Sequence, residues 1–455
     1  MEIEDSSLWR EVQTILESGD KKTYFQWSGI IHANSVDIEI FRLVGVDNTR
    51  NYEAQTGDGM SIVTMIPLGT YAKKIYPYRD RLEITLQRTT LLGYGQDVDQ
   101  DADVESKRYK ASLILNDIQS VEGSEINRLS EDILNLRQIL DVSFQLVDRS
   151  MEQLRSVIVG GVFRNTTAAR VIRSVLTAES AKVKIDGEPS IGGVELVDPD
   201  NKDVKDHVVI PQGTNLLNLA TYIQEKCGGV YRGGMGTYLQ DKLWYVYPLF
   251  DTSKLGSSEV TATIIKVTGP KAQGFDRTHR EEGKSVFILA TSDADFSDDG
   301  GTKAFSDGAG VRLANSDNFM GGLTKNSGNK AVMSRGKNNT EFTAQSPAEG
   351  QVQYVPVSQD RISANPYNDY ARIMSRFGGL YTFKWDAADP ALLFPGMMTR
   401  ILFLDGDTVK ELHGVLLFVH TNTTLMGKGA TSSKFSTTCN ITIYAKKPDP
   451  ADATI

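Results

Sequence analysis

Apolar and polar side chains alternate one by one near the start of the chain. In "VDIEI", Val36, Ile38 and Ile40 alternate with Asp37 and Glu39; in "RLEITLQR", Leu82, Ile84 and Leu86 alternate with Glu83, Thr85 and Gln87. A period of two sends successive side chains to opposite faces of a strand, so each segment reads as a strand with one buried and one wet face. "DNTRN", "TGDG" and "PLG" supply turn residues between them, and "YKASLILND" closes the block near residue 117. Short strands at this spacing predict a barrel or small sandwich over residues 20–118.

The same period returns at the other end. "FSTTCNITIYAKK" places Phe435, Thr437, Cys439, Ile441, Ile443 and Ala445 on one face, with Tyr444 among the polar residues of the other. "MMTRILFLDGDTVKEL" holds Asp405-Gly406 between apolar runs, a hairpin signal, and "GVLLFVHT" is apolar nearly throughout. A second barrel is expected over residues 366–448.

Between the ends the period lengthens. "NTTAARVIRSVLTAE" reads as a helix capped by Thr166 or Thr167, with Val171, Ile172, Val175 and Leu176 as its apolar stripe. "TNLLNLATYIQEKCGG" puts Leu216, Leu219, Ala220, Ile223 and Cys227 on one helical face, with Thr214 as N-cap and Gly228 as the left-handed residue past the end. "TYLQDKLWYVYPL" then reads as a hairpin and "EVTATIIKVTG" as a strand. Ile126, Leu129, Ile133, Leu136 and Leu140 recur three and four apart, as on a coiled-coil seam. The seam is short, so two readings stay open: a helix packed on its own domain, or a candidate subunit interface. Residues 291–365 are rich in Gly, Ser, Asp and Asn and are expected to form a long loop insertion. The fold class expected is mainly β with α+β insertions: a β-barrel-like domain at 1–118, a helix and central α+β region at 119–285, the insertion at 286–365, and a second β-barrel-like domain at 366–455.

Composition narrows the chemistry. With 455 residues the chain has room for about two to four domains. Its 58 acidic and 49 basic residues give a net charge of -9, which argues against a nucleic-acid binder held by an overall positive field. Cys227 and Cys439 sit in apolar patterns and are expected as buried free thiols, in keeping with a reducing compartment. "MEIEDSSLWREVQ" has no signal-peptide character, and there is no apolar run of about 18 residues, so no membrane span is expected.

The stretch "GGVYRGGMGTYLQDKLWYVYPLF" is the one place that invites an enzymatic reading. Gly229 and Gly234 have Walker spacing, but Met235 stands where the phosphate-binding Lys belongs; Gly234 and Gly236 make GxG, but Leu239 takes the third glycine position. The glycines also follow a helix and open a strand, the reverse of a nucleotide loop. Asp97, Asp99, Asp101 and Asp103 have the odd spacing of a calcium loop, yet Ala102 and Arg108 replace the required Gly and Glu. "DADFSDDGG" fails the same way at Asp298 and Ala304. None of His32, His207, His279, His413 and His420 belongs to HExxH or a zinc pattern, and GxSxG is lacking. No catalytic residue, metal or cofactor is expected. Tyr231, Tyr238, Trp244, Tyr245 and Tyr247 could stack on a sugar, as in a tail or surface adhesin, or pack a core. A cell-wall hydrolase would need a pair of carboxylates that nothing in the sequence singles out.

The order of these elements resembles the baseplate hub proteins of contractile-tailed phages, the family of the late-control proteins and their secretion-system relatives. Residues 60–90, 144–180, 215–254 and 393–420 carry the resemblance, including "FQLVDRSMEQLRSVIVGGVFRNTTAARVIRSVL" and "LLFPGMMTRILFLDGDTVKELHGVLL". The resemblance implies a homotrimer in which two similar barrels per subunit form a ring. That ring would join the tail tube protein to a central spike protein, beside baseplate wedge proteins, with genomic DNA passing through unbound. It implies a virion part assembled in the host cytoplasm, with no catalytic residues, and a spike supplied by a separate protein.

Overall fold

The computed structural model describes residues 7–18, 20–21, 23–92, 104–114, 139–257, 261–267, 275, 277–291, 295–297, 309–311, 331–335, 340–345, 378–405, 408–426 and 434–446. A helix, α1 (Ser7–Ser18), leads into six strands: β1 (Thr23–Ala33), β2 (Arg42–Asn51), β3 (Gly59–Pro67), β4 (Leu82–Leu92), β5 (Val104–Leu113) and β6 (Ile139–Asp148). They pair antiparallel in the order β1-β4-β5-β6-β3-β2. A C-terminal hairpin closes the ring: its first strand meets β2 at Phe418↔Asn51, and its second meets β1 at Phe435↔Phe25. The inward positions are those of the period-two pattern, with Leu82, Ile84, Leu86, Ile62, Val142, Phe144 and Phe435 all buried. Closing the sheet removes its free edges, which an open sheet must protect.

Two turn readings are corrected. "DNTRN" lies inside β2, where the ladder from Asp47↔Asn422 to Asn51↔Phe418 holds it. Its polar side chains are tolerated because they have partners: Asp47 lies 2.7 Å from His420 Nε2, and Asn48 and Arg50 both reach Asp58. "PLG" begins a helical stretch from Leu68 to Arg81, whose Leu68, Tyr71 and Ile75 are buried.

The central unit comprises β7 (Ile158–Thr166), α2 (Ala168–Ser180), β8 (Gly193–Leu196), β9 (Lys205–Asn215), α3 (Leu219–Lys226), β10 (Met235–Gln240) and β11 (Leu243–Pro248). β7 and β9 form a two-stranded antiparallel ribbon; β8, β11 and β10 form a three-stranded sheet. Thr167 caps α2 by accepting from the Arg170 N–H, and the predicted stripe Val171, Ile172, Val175 and Leu176 is buried against Leu219 and Ile223 of α3. The cap of the second helical segment is Asn215, whose side chain accepts from Leu217 N–H at 2.9 Å. Thr214 instead donates to the Pro211 carbonyl, because its residue still belongs to β9.

The second ring takes strands from distant parts of the chain: β12 (Thr261–Lys266), β13 (Arg277–Glu282), β14 (Ser285–Ala290), β15 (Gly378–Asp386), β16 (Met398–Asp405), β17 (Thr408–Leu425) and β18 (Lys434–Lys446). The order is β14-β12-β16-β17-β18-β15, with β13 beside β14. Thr291 N–H donates to Lys384 O at 2.9 Å, bringing the end of β14 against β15. Ile264, Ile288, Phe383, Trp385, Ile401, Val415, Ile441 and Ile443 fill the interior. α1 lies against this ring rather than the first, packing Leu8, Val12 and Ile15 on Ile265, Leu289 and Leu402.

β17 and β18 are the hairpin shared by both rings. β17 pairs with β16 up to Val415 and with β2 from Phe418, and its register with β18 slips between Leu416 and Phe418. At about 3.3 Å per residue its 18 residues span roughly 60 Å, enough to run through both rings. The second ring is therefore not confined to 366–455: β12 and β14 come from the stretch assigned to the central region and the start of the insertion. Within the expected insertion, Ala309–Val311, Ala331–Arg335 and Thr340–Gln345 form a small antiparallel sheet, so the segment is not loop alone.

Candidate functional site

The first ring, the central unit and the second ring meet at one buried polar joint. Arg50 leaves the end of β2 with its side chain 11% exposed and lies 3.3 Å from Asp58 Oδ2 through Nε. Its Nη1 donates to the Pro390 carbonyl at 3.0 Å, in the turn before β16. Asp58 also accepts from Asn48 Nδ2 at 3.1 Å and, on its other oxygen, from the Tyr238 hydroxyl of β10 at 2.9 Å. One carboxylate thus holds residues from β2 and β10, while Arg50 adds the Pro390 turn.

A tyrosine layer lies beside it. Tyr52 donates to Gln240 Oε1 at 3.2 Å, Gln240 Nε2 donates to the Leu393 carbonyl at 2.9 Å, and Tyr247 donates to the Tyr52 carbonyl at 2.7 Å. Tyr52 and Tyr238 meet edge-on with ring centroids 4.9 Å apart, a favoured aromatic geometry. The Leu239 N–H donates to Thr56 O at 2.8 Å, tying β10 to the loop before Asp58.

Electrostatics keep the joint in one charge state at neutral pH. Burial works to raise the Asp58 pKa, but Arg50, Lys107 and the donors Asn48 and Tyr238 outweigh it, and the net shift is downward. Burial likewise opposes charge on Arg50, yet Asp58 and its neighbours hold the guanidinium protonated. Burial drives the Tyr52 and Tyr238 hydroxyls upward, so both remain neutral donors. A saturated carboxylate beside a fixed cation has no proton to exchange near pH 7. Its capacity is mechanical: it sets how three units are held.

No family model matches the chain, and no curated protein matches it in sequence. Its structural neighbours are tail and secretion-hub proteins. The tail protein of Neisseria meningitidis MC58 aligns over 92% of this chain and 96% of its own, at 10% identity and a TM-score of 0.41. The 43 kDa tail protein of prophage MuSo2 from Shewanella oneidensis aligns over 92% and 98%, at 10% identity and 0.43. A type VI secretion component of E. coli, described as similar to bacteriophage T4 tail proteins, aligns over 92% and 77%, at 8% identity and 0.37.

Of the five seam residues, Ile126, Leu129, Ile133 and Leu136 lie outside the described residues. Leu140 is a correction: it belongs to β6, opposite Ile66, in a period-two series with buried Val142, Phe144 and Leu146. Its spacing from Leu136 fits a helix, but its own neighbours fit a strand. The calcium-like positions Asp97, Asp99, Asp101 and Asp103 also lie outside the described residues, as does most of 293–301.

The glycine stretch serves the backbone. Gly228, Gly229 and Gly234 have φ of 87°, 72° and 80°, a region that favours glycine. A Cβ on Gly236 would stand 2.3 Å from the Tyr247 ring. Gly234→Ala is expected to lower stability by about 1 kcal/mol. Neither ATP nor a dinucleotide should raise the melting temperature of the wild-type protein. A rise that Gly234→Ala abolishes would reverse this reading.

Tyr231, Tyr238, Trp244 and Tyr247 are buried and only Tyr245 is partly exposed, so the set packs a core and offers no sugar-stacking face. Trp244 Nε1 donates to Ser180 Oγ at 2.9 Å, joining β11 to the end of α2. Cys439 is buried, whereas Cys227 is only half-buried, at the exposed rim of α3. His32 lies 2.6 Å from Asp37 and His413 lies 2.7 Å from Glu411, while His279 packs edge-on against Trp385. Among the described residues no group of three or more His, Cys, Asp or Glu could hold a metal, and no helix is long and apolar enough to cross a membrane.

Proposed function

We propose that the chain is the structural hub of a contractile phage-tail baseplate, forming a trimeric ring that joins the tail tube to the central spike. The observation that carries this reading is the closed first ring and the ring-like second set of strands, fused through one hairpin, β17–β18, within a single chain. Three copies would present six barrels. That count lets one face follow the sixfold repeat of a tube while the whole keeps the threefold symmetry of a spike. The expected neighbours are the tail tube protein, the spike protein and baseplate wedge proteins, in a virion assembled in the host cytoplasm. The polar joint suits a part that transmits force, since it ties the rings to the central unit through directional bonds.

The ring would carry genomic DNA without gripping it, which suits a net charge of -9. The reading assigns no catalytic residue. An adhesin is disfavoured because the aromatic set that would stack on glycan is in the core.

Native mass spectrometry tests the assembly. The expected species is three chains of 50.1 kDa each, and images of the tail should place it at the baseplate on the threefold axis. A chain that stays monomeric and locates to a fibre tip would overturn the proposal in favour of the adhesin.

A further inference from the structure

The central unit carries an apolar face that no described residue covers. On the β7–β9 ribbon, Val162 and Val209 stand opposite each other in register and are 58% and 50% exposed. Ile158, four residues back along β7, is 66% exposed. The three share the outer side, because Val159, Val208 and Ile210 take the inner side and are buried. Arg164 continues that outer side opposite His207, is exposed, and makes no ion pair among the described residues.

The first ring carries a counterpart. A short strand, Val36–Glu39, pairs with β1 at its rim. Two residues beyond it Phe41 is 70% exposed, the most exposed of the large apolar side chains among the described residues. Asp37 and Glu39 precede it at two-residue spacing and are both exposed. Asp37 is held by His32, while Glu39 makes no ion pair among the described residues.

We infer that these two patches are the halves of one contact between neighbouring copies of the chain: the ribbon of one against the Phe41 rim of the next. The inference rests on the ring reading and names the surfaces that would build it. Charge complementarity selects the partner, because an apolar patch edged by a free arginine meets an apolar patch edged by a free glutamate in the same sequence. The two patches differ, so the contact is heterologous, and repeated head-to-tail it closes into a ring rather than a two-fold dimer.

The test uses the full chain, followed by sedimentation velocity and native mass spectrometry across a concentration series. Val162→Asp and Phe41→Glu should each weaken assembly about tenfold or more, with the thermal melt of the subunit unchanged because both sites are exposed. Arg164→Glu should weaken assembly, and adding Glu39→Arg should restore it. The charge-reversal pair decides the matter should Val162→Asp fail to fold. Wild-type trimers matched by trimers of every variant would overturn this contact and leave the ring standing. Weakening by Arg164→Glu that Glu39→Arg does not relieve would overturn the pairing of these two patches. A wild-type chain monomeric at every concentration would remove the ring and this contact together.

Discussion

Gly396→Ala is expected to destabilise the protein by about 2–4 kcal/mol, the sum of an overpacking cost and a backbone cost. Gly396 has φ of 69°, which an L side chain adopts only with strain. Its added Cβ would stand 2.3 Å from Cγ and 2.4 Å from Cδ2 of the Tyr247 ring. The ring has little freedom to move, because Gly236 lies against Cε2 and Cζ at its hydroxyl end and the hydroxyl donates to the Tyr52 carbonyl at 2.7 Å. Gly283→Ala separates the two costs. Its φ is 62°, but a Cβ there meets nothing within 4 Å, so it should cost only about 1 kcal/mol. The check is the urea midpoint of each variant at constant slope. Equal losses for Gly396→Ala and Gly283→Ala would mean that Tyr247 is not clamped.

The period-two faces of β4 and β18 were visible because strand periodicity is local: Leu82, Ile84 and Leu86, or Cys439, Ile441 and Ile443, need only their own neighbours to declare themselves. Tyr444 falls on the polar side of the strand pattern, yet it is buried because Phe250, 194 positions earlier, packs 5.0 Å from its ring. α1 carries a thin apolar stripe of Leu8, Val12 and Ile15, and its burial against Ile265, Leu289 and Leu402 depends on residues some 250 or more positions away. The joint was the least visible part. Arg50 sits in a stretch rich in turn residues, Asp58 in the TGDG turn, and Tyr238 is 180 residues further on. The β2–β3 hairpin sets Arg50 beside Asp58, and Tyr238 joins them only because β10 docks on that hairpin, where Leu239 N–H donates to Thr56 O. Consecutive domain bounds do not capture the hairpin shared by both rings for the same reason: strand pairing between positions as distant as Asn51 and Phe418, or Phe25 and Phe435, leaves no local trace.

Removing the Asp58 carboxylate should have an effect of similar size, about 2–4 kcal/mol for Asp58→Ala, since breaking a buried pair leaves a charge uncompensated. Arg50 would lose its carboxylate partner while keeping the Pro390 carbonyl, and the Tyr238 hydroxyl would lose its acceptor. The figure lies below that of a fully dry pair because the Asp58 side chain is 28% exposed and water can enter. The pH dependence follows from the direction of the shift. Asp58 has its pKa lowered in the folded protein from an ordinary 3.8, with burial opposed and outweighed by Arg50, Lys107 and two hydrogen bonds. Its contribution is therefore complete above about pH 4–5 and is lost as pH falls through the lowered folded value. Asp148 is lowered likewise, burial again being outweighed by Lys107 at 2.9 Å and by the Ser150 N–H, and it acts in the same window. Asp58→Asn should accordingly flatten the acid limb of stability between about pH 5 and 2 and leave the share of Asp148 in place. Urea titrations of wild type and Asp58→Asn at stepped pH read this directly. An acid limb of unchanged steepness would show that Asp58 does not hold Arg50, and that the rings are joined to the central unit by the tyrosine layer instead.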